Sequence, residues 1–499
     1  MQKQSTPRTA ARTLVIIGAG FSGTLTAVNV LRQAQGGDLE IVLIEQRPRA
    51  GRGLAYRIWD DSMLLNVVAG NMSALAEAPN DFVEFCQDID PALHAGSFVP
   101  RRIFGDYLEH LLQRAERESR VRFTRIQGEV VSLRAQDGPG RLRVTLADGQ
   151  QLAADEAVLA LGHLGAQRLR FADALDGSTR YIANPWDYAA MDHIPTGRPV
   201  VVLGTGHTAI DAVFRLTSRD DARKIFLVSR RGLLPKGHRA VPHPPHAIGF
   251  PAYLEHLPPT AFAHTRAVRR EINRRLRDGD NWRDVINELR PHTPEIWRRL
   301  PTAERRRLLA RVGPWWDIHR HRLAPTAYRR LRDMRQTGQA EVIAGQVLSL
   351  EEAGDGVRVT VRQRADGSER ALEAAAVVNC TGPDYDIDRL SRPALVTQLR
   401  DEGYLRADPL HIGIQVDEQY HLLGADGRKV PGVHYVGPML RARYWEAIAV
   451  PELRRHTQAL ARHLLAPRAA RLPLPCPVKG GDTRDSPCNC RSVPAIYRQ

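Results

Sequence analysis

Apolar runs and their spacing divide the chain into two similar halves. Thr13-Leu14-Val15-Ile16-Ile17 is a continuous, mostly β-branched run, the pattern of a strand buried on both faces of a parallel sheet. It leads into Gly18-Ala19-Gly20-Phe21-Ser22-Gly23, after which Leu25, Val28 and Leu31 recur at helical spacing. A second apolar run, Ile41-Val42-Leu43-Ile44, ends in Glu45. The same order returns later as Val200-Val201-Val202-Leu203, then Gly204-Thr205-Gly206-His207-Thr208-Ala209, then Ile210, Val213 and Leu216 at helical spacing. Its next strand is Ile225-Phe226-Leu227-Val228, followed by Ser229-Arg230-Arg231.

A further echo lies downstream of each copy. Gly128-Glu129-Val130-Val131-Ser132-Leu133 leads through Leu142–Leu146 to the apolar run Ala157–Leu161 and Gly162. Gly345-Gln346-Val347-Leu348-Ser349-Leu350 leads through Val357–Val361 to Ala376–Cys380, Thr381 and Gly382. Each predicts a short antiparallel excursion that returns to a buried strand stopping at glycine. The duplication predicts an α/β fold with two Rossmann-like domains, the first interrupted by the second.

The pattern changes between about Pro259 and Pro325. Val268, Ile272 and Leu276, then Trp282, Val285, Ile286 and Leu289, then Leu308, Leu309 and Val312 are spaced for amphipathic helices with Arg-rich outer faces. The expected organisation is a flexible arm at 1–12, a first domain at 13–190, a second at 191–375 with a helical insertion at about 259–325, and the rest of the first at 376–466. The Pro-, Gly- and Arg-rich stretch 467–499 lacks periodicity and is expected to be a disordered tail.

Net charge sharpens the functional question without answering it. The formal charge is +15, yet the basic residues are nearly all Arg and are scattered, with no long Lys/Arg block. A nucleic-acid partner is therefore not expected, whereas an anionic dinucleotide and a small-molecule substrate suit such a surface. The five cysteines include no C-x-x-C pair and no disulfide framework. No apolar run approaches the roughly eighteen residues of a membrane span, and Leu14–Ile17 is too short for a signal peptide, so a cytoplasmic location is expected.

The first glycine loop satisfies the context that gives G-x-G-x-x-G its meaning: a strand before, a helix after, an acid at the end of the next strand. Gly18 permits the tight turn, Gly20 lets the backbone approach a pyrophosphate, and Gly23 allows close packing of helix on strand. The helix N-terminus offers free N–H groups and partial positive charge to phosphates, and Glu45 is placed to accept from ribose hydroxyls. In the second loop Ala209 replaces the third glycine, and the acid is replaced by Ser229-Arg230-Arg231. A guanidinium fork there favours a 2′-phosphate, hence NADPH over NADH.

Two such loops in this order resemble the flavoproteins in which a first dinucleotide domain holds FAD and an inserted second holds NAD(P)H. More closely, the chain resembles bacterial FAD/NAD(P)-binding oxidoreductases of the YdhS-like type, related to flavin-containing monooxygenases. The matching text includes Gly51-Arg52-Gly53-Leu54-Ala55-Tyr56, Leu65-Asn66-Val67, Arg230–Pro235, Trp315–Arg322 and Trp445–Glu452. The resemblance implies FAD contacts from Gly18, Gly20, Phe21, Ser22, Gly23, Glu45, Gln46, Arg47 and Val130, and from the strand ends Gly162, Thr381, Gly382 and Gly437. It implies NADPH contacts from Gly204, Gly206, His207, Thr208, Ala209, Ser229, Arg230 and Arg231. Pro438 stands where the family usually has an Asp, which removes the usual carboxylate contact to the flavin's ribityl–phosphate region.

Tyr56 and Asn66 are the flavin-facing catalytic candidates, by analogy with an Asn in related monooxygenases. His319 and His321 flank Arg320 beside Trp315 and Trp316, a cluster suited to an acidic substrate or to nicotinamide, or to a structural role. Trp186-Asp187 matches the end of a Baeyer–Villiger linker fingerprint, but Tyr181 stands where that fingerprint has His. Three functions stay open: a single-component monooxygenase, a reductase for a quinone, metal chelate or protein, and a non-catalytic flavin-bound sensing module. No metal is expected.

Overall fold

Two mixed sheets, each with a parallel core of similar construction, carry the protein. The computed structural model describes residues 12–36, 38–57, 60–136, 142–239 and 249–467. The expected arm before Arg12 and the expected disordered tail beyond Pro467, with Cys476, Cys488 and Cys490, lie outside the described residues.

The first sheet starts from β1 (Arg12–Ile17), which passes through α1 (Phe21–Gln33) to β2 (Leu39–Glu45). Its strand order is His421–Leu423, Lys429–Tyr435, Glu156–Leu159, β1, β2, Arg122–Gln127. Neighbours are parallel except the edge pair His421–Leu423 and Lys429–Tyr435. Leu14, Val15 and Ile16 are wholly buried, as the unbroken β-branched run requires of a strand covered on both faces. The second sheet has the order Glu369–Ala374, Gly356–Gln363, Ala340–Ala353, Ile225–Ser229, Val200–Leu203, Ala376–Asn379, Tyr181–Ile182. Val200, Val201 and Val202 take the place of the buried centre of β1.

The duplication extends to single residues. At Gly128 and Gly345 the chain leaves its parallel sheet for the antiparallel excursion. A Cβ there would lie 2.6 Å from Leu146 Cδ2 in the first copy and 2.6 Å from Val361 Cγ1 in the second. Two residues on, each copy has a β-bulge at the same step, between Val130 and Ser132 and between Val347 and Ser349. The copies differ in continuity: Arg122–Gln127 and Val130–Ala135 are separate strands, whereas Ala340–Ala353 is one.

Strand pairing moves the domain boundaries drawn from sequence. Ala376–Asn379, assigned above to the first domain, pairs with Val200–Leu203, and Tyr181–Ile182 pairs with Ala376–Asn379. Both belong to the second sheet, so the chain crosses back only after Gly382. The insertion, which follows Ile225–Ser229, includes the helices Ala261–Arg277, Trp282–Leu289, Thr293–Arg299, Thr302–Arg311 and Gly313–Arg320. It has a small core of its own around Leu254, Val285, Ile286 and Leu289. Leu276, expected on the buried stripe, is 48% exposed in the last turn of its helix.

Contacts near the cleft tie the two sheets together. The crossings run side by side, with Gln167 N–H donating to Gly382 C=O at 3.0 Å and Asp384 N–H to Gly165 C=O at 3.1 Å. Arg101, at the start of the helix Arg101–Glu118, reaches across the cleft to Asp211 on the helix His207–Ser218. The pair is bidentate at 2.6 and 3.1 Å, and Arg101 Nε also donates to the Leu64 carbonyl at 3.1 Å. Both side chains are about 15% exposed. Breaking a buried pair leaves an uncompensated charge, at a cost of about 3–5 kcal/mol. Arg101→Ala is therefore expected to lower the unfolding free energy by about that amount. Equilibrium urea denaturation checks this, and a loss under about 1 kcal/mol, the scale of a surface ion pair, would reduce the contact to a peripheral one.

Candidate functional site

The first loop is built around atoms that side chains would occupy. Gly18 has φ +97°, and a Cβ on it would sit 2.5 Å from the Ala160 carbonyl oxygen. A Cβ on Gly23 would lie 1.8 Å from the Gly18 carbonyl oxygen. Gly20 is different: the nearest atom to its added Cβ is Gly53 Cα at 3.5 Å, so protein packing does not demand glycine there. It is the N-cap of α1, with no side chain capping the first turn and no acid in it. The turn's N–H groups and positive dipole end are left for an anion, the chemistry of a pyrophosphate cradle. Glu45 braces this loop, its carboxylate accepting from Ala19 N–H at 2.7 Å and Arg47 N–H at 3.1 Å.

Phe21 stacks on Phe104 at 6.1 Å, Ser22 is buried, Gln46 is exposed and Arg47 is half-buried. Gly51 N–H donates to the Ala19 carbonyl at 2.7 Å, which lays the Gly51–Tyr56 segment over the loop. Arg52 holds that segment down: it is 3% exposed and paired with Asp106 and Glu109 of the helix Arg101–Glu118. Val130 is buried at the start of the bulged strand.

The second loop repeats the geometry. Gly204 has φ +120°, and its Cβ would meet the Cys380 carbonyl oxygen at 2.3 Å. Gly206 caps a helix with no side-chain cap, and nothing lies within 4 Å of its Cβ position. Ala209 is fully buried where the first loop has Gly23, and Thr208 is half-buried. His207 Nε2 contacts the His321 carbonyl at 2.9 Å; a carbonyl only accepts, so Nε2 carries the proton. Ser229 Oγ is 3.1 Å from Thr205 Oγ1 and accepts from Gly232 N–H. Arg230 is exposed, and among the described residues it has no ion pair. Arg231 donates to the Ala310 carbonyl at 3.1 Å.

Between the loops, Gly162 and Gly382 have positive φ and open space at their Cβ positions. Thr381 is exposed, and its hydroxyl donates to Asn379 Oδ1 at 2.7 Å. His163 Nδ1 is 3.1 Å from the Tyr385 hydroxyl, and burial beside the Arg441 guanidinium pushes the imidazole down to about 4. At Gly437 (φ +150°), where Pro438 displaces the expected acid, the Tyr435 hydroxyl accepts from Met439 N–H at 3.0 Å.

The two catalytic candidates have different surroundings. Tyr56 packs edge-on against Phe104 at 4.7 Å, and burial pushes its hydroxyl up to about 12. Asn66 lines a cavity between the domains, and its carbonyl accepts from His238 Nε2 at 2.9 Å. Burial and the nearby Arg322 push His238 down to about 3, so it is neutral. The Trp315–Arg322 and Trp445–Glu452 segments meet at Glu446, which is 1% exposed and accepts from Trp316 Nε1 at 2.9 Å and Arg320 Nε at 3.0 Å. His319 contacts Trp282 edge-on at 4.9 Å, while burial and the adjacent Arg320 push His321 down to about 3. Sequence reasoning missed Arg101, Arg52, His238 and Glu446 as site-building residues; only the motif membership of Arg52 and Glu446 gave any signal.

Comparison with known proteins agrees with this geometry. A family model described as FAD-NAD(P)-binding matches residues 15–164. No curated protein matches the sequence. Similar solved structures include ornithine hydroxylase from Pseudomonas aeruginosa, at 17% identity over 91% of this chain and 100% of that one, with a TM-score of 0.64. L-lysine 6-monooxygenase from Pseudomonas syringae shows 19% identity over 90% and 99%, with a TM-score of 0.62. A cadaverine monooxygenase of desferrioxamine biosynthesis from Erwinia amylovora shows 13% identity over 95% and 100%, with a TM-score of 0.63. The family model thus marks residues 15–164 as similar to FAD-NAD(P)-binding domains, and the solved structures share the fold with two Rossmann-like domains.

The loop geometry separates two glycine substitutions. Gly23→Ala forces a Cβ into the Gly18 carbonyl and is expected to destabilise the FAD-free protein by at least the 1–3 kcal/mol or so typical of overpacking. Gly20→Ala should leave the melting temperature of the FAD-free protein within about 2 °C of wild type, yet weaken FAD binding at least tenfold. Thermal unfolding and calorimetric FAD titration read the two effects, and equal loss of stability in both variants would contradict the assignment.

Proposed function

We propose that the protein is an FAD-dependent, NADPH-using oxidoreductase of the monooxygenase kind, acting on a small molecule. The observation that carries this reading is the pair of uncapped glycine loops at equivalent positions of two sheets, joined across the cleft by Arg101 and Asp211. Bound there, the cofactors supply hydride transfer from nicotinamide to flavin, while the protein supplies alignment and electrostatics.

The roles proposed for this chain's residues follow from their positions. Gly18, Gly20 and Gly23 shape the FAD pyrophosphate cradle, and Gly204 and Gly206 that of the coenzyme. Arg230 is the exposed cation at the end of Ile225–Ser229 and is suited to a 2′-phosphate. Asn66 is the proposed side-chain donor at the reacting end, its backbone held by neutral His238. The described cysteines, Cys86 and Cys380, are free, buried and in different domains, and burial pushes both thiols upward. Among the described residues they form no dithiol to receive electrons, which favours an acceptor other than a protein disulfide. The neighbours named as hydroxylases and monooxygenases favour oxygen as that acceptor.

Arg230→Ala is expected to narrow the NADPH-over-NADH ratio in kcat/KM by roughly ten- to a hundredfold, the worth of one charge-assisted contact. A wild type that uses the two coenzymes equally contradicts the role of Arg230. Asn66→Ala is expected to raise hydrogen peroxide released per NADPH consumed more than it slows NADPH oxidation. Oxygen-electrode and peroxide assays measure this, and efficient quinone reduction without oxygen uptake would select the reductase reading instead.

A further inference from the structure

A cavity of about 210 Å³ opens where the Asn66–Asn71 segment, the helix Trp282–Leu289 and the start of the helix Val450–Leu465 converge. Seven arginines line it against two carboxylates, Asp284 and Glu452. Both acids are engaged: Arg290 holds Glu452 through two 2.7 Å bonds, and Arg239 pairs with Asp284. Arg320 is matched by Glu446 from outside the lining. Seven guanidinium groups against three carboxylates leave a surplus of four positive charges.

Arg322 concentrates that surplus. It is 5% exposed and lines the cavity, and its Nη2 donates to Asn287 Oδ1 at 2.6 Å. Its Nε and Nη1 have no acceptor among the described residues. Burial, reinforced by Arg320, Arg283 and Arg290 and only partly opposed by Asp284, pushes its guanidinium down to about 9. A buried cation with unmatched N–H groups is costly, and an oxyanion is the partner that matches both its charge and its planar fork.

We infer that this cavity receives the carboxylate or phosphate group of an anionic small-molecule substrate, with Arg322 as the chief ion-pair partner and Asn66 at the wall shared with the proposed reaction site. An amine head group would meet net repulsion from the same walls. Calling the ligand a substrate rests on the oxidoreductase reading; the anion site itself does not. The coenzyme's own phosphates are the other source of the same chemistry, and the test separates the two.

The test uses FAD-loaded full-length protein, with citrate and inorganic phosphate as probes at constant ionic strength, read by thermal shift and calorimetry. Wild type is expected to be stabilised by citrate beyond the response to chloride. Arg322→Met is expected to weaken citrate binding at least tenfold while leaving the affinity for NADP⁺ within about twofold. Its melting temperature without anion should equal or exceed that of wild type, because a buried unmatched charge has been removed. If the Met variant does not fold, Arg322→Lys keeps the charge but loses the fork, and the same loss of citrate affinity is expected.

Citrate and phosphate responses no greater than chloride overturn the inference. So does citrate binding unchanged in the variant, or NADP⁺ binding that falls in step with citrate, which assigns the cavity to the coenzyme. Failure of the flavin reading appears separately, as absence of bound FAD in a protein that still binds citrate.

Discussion

One guanidinium sets the relation between the two nucleotide loops. Arg101 grips Asp211, on the first turns of the helix that follows Gly206, and the Leu64 carbonyl, two residues before Asn66. The second loop and the Asn66 segment are thus referred to a single side chain on the helix Arg101–Glu118. That helix also carries Asp106 and Glu109, which hold Arg52 and lay the Gly51–Tyr56 segment over the first loop. Both loops and both catalytic candidates therefore depend on one helix of the first domain. Hydride transfer needs reacting atoms about 3–3.5 Å apart, so a short chain of charge-assisted contacts is the kind of scaffold that such chemistry requires.

What could be seen in the sequence was what backbone geometry demands of residue type. Gly18 and Gly204 take φ values that side chains disfavour, and at Gly23 a Cβ has no room, so the loops announce themselves locally. The internal echo was visible because each excursion needs a glycine where it leaves the sheet and apolar alternation through the bulge that follows. Ala376–Asn379 was misplaced because a buried apolar strand carries no mark of which sheet it joins; that is decided by pairing with Val200–Leu203. Leu276 fitted a helical stripe that continues beyond the surface it packs on. Arg101 was invisible for a different reason. Its partner lies 110 residues away, and with 71 Lys and Arg in the chain no local pattern distinguishes it.

Arginine accounts for much of what is distinctive here. Arg52, Arg101, Arg290 and Arg320 are matched by carboxylates, whereas among the described residues Arg230 and Arg322 are not. The high net charge thus combines a structural habit with the two anion sites proposed at Arg230 and Arg322. Among the described residues no helix is long and apolar enough to cross a membrane. Glu446, the buried acid of the Trp445–Glu452 segment, fixes the insertion against the first domain through Trp316 and Arg320, giving that segment a structural reason for its composition.

The two loops are proposed to hold FAD at the first and NADPH at the second in hydride-transfer contact. The most direct measurement is an anaerobic titration of FAD-loaded protein with NADPH, followed at the visible absorbance of the flavin. Bleaching complete at one equivalent of NADPH per flavin is the predicted result. Flavin that stays oxidised in excess NADPH, although both cofactors are shown to bind, would contradict the account.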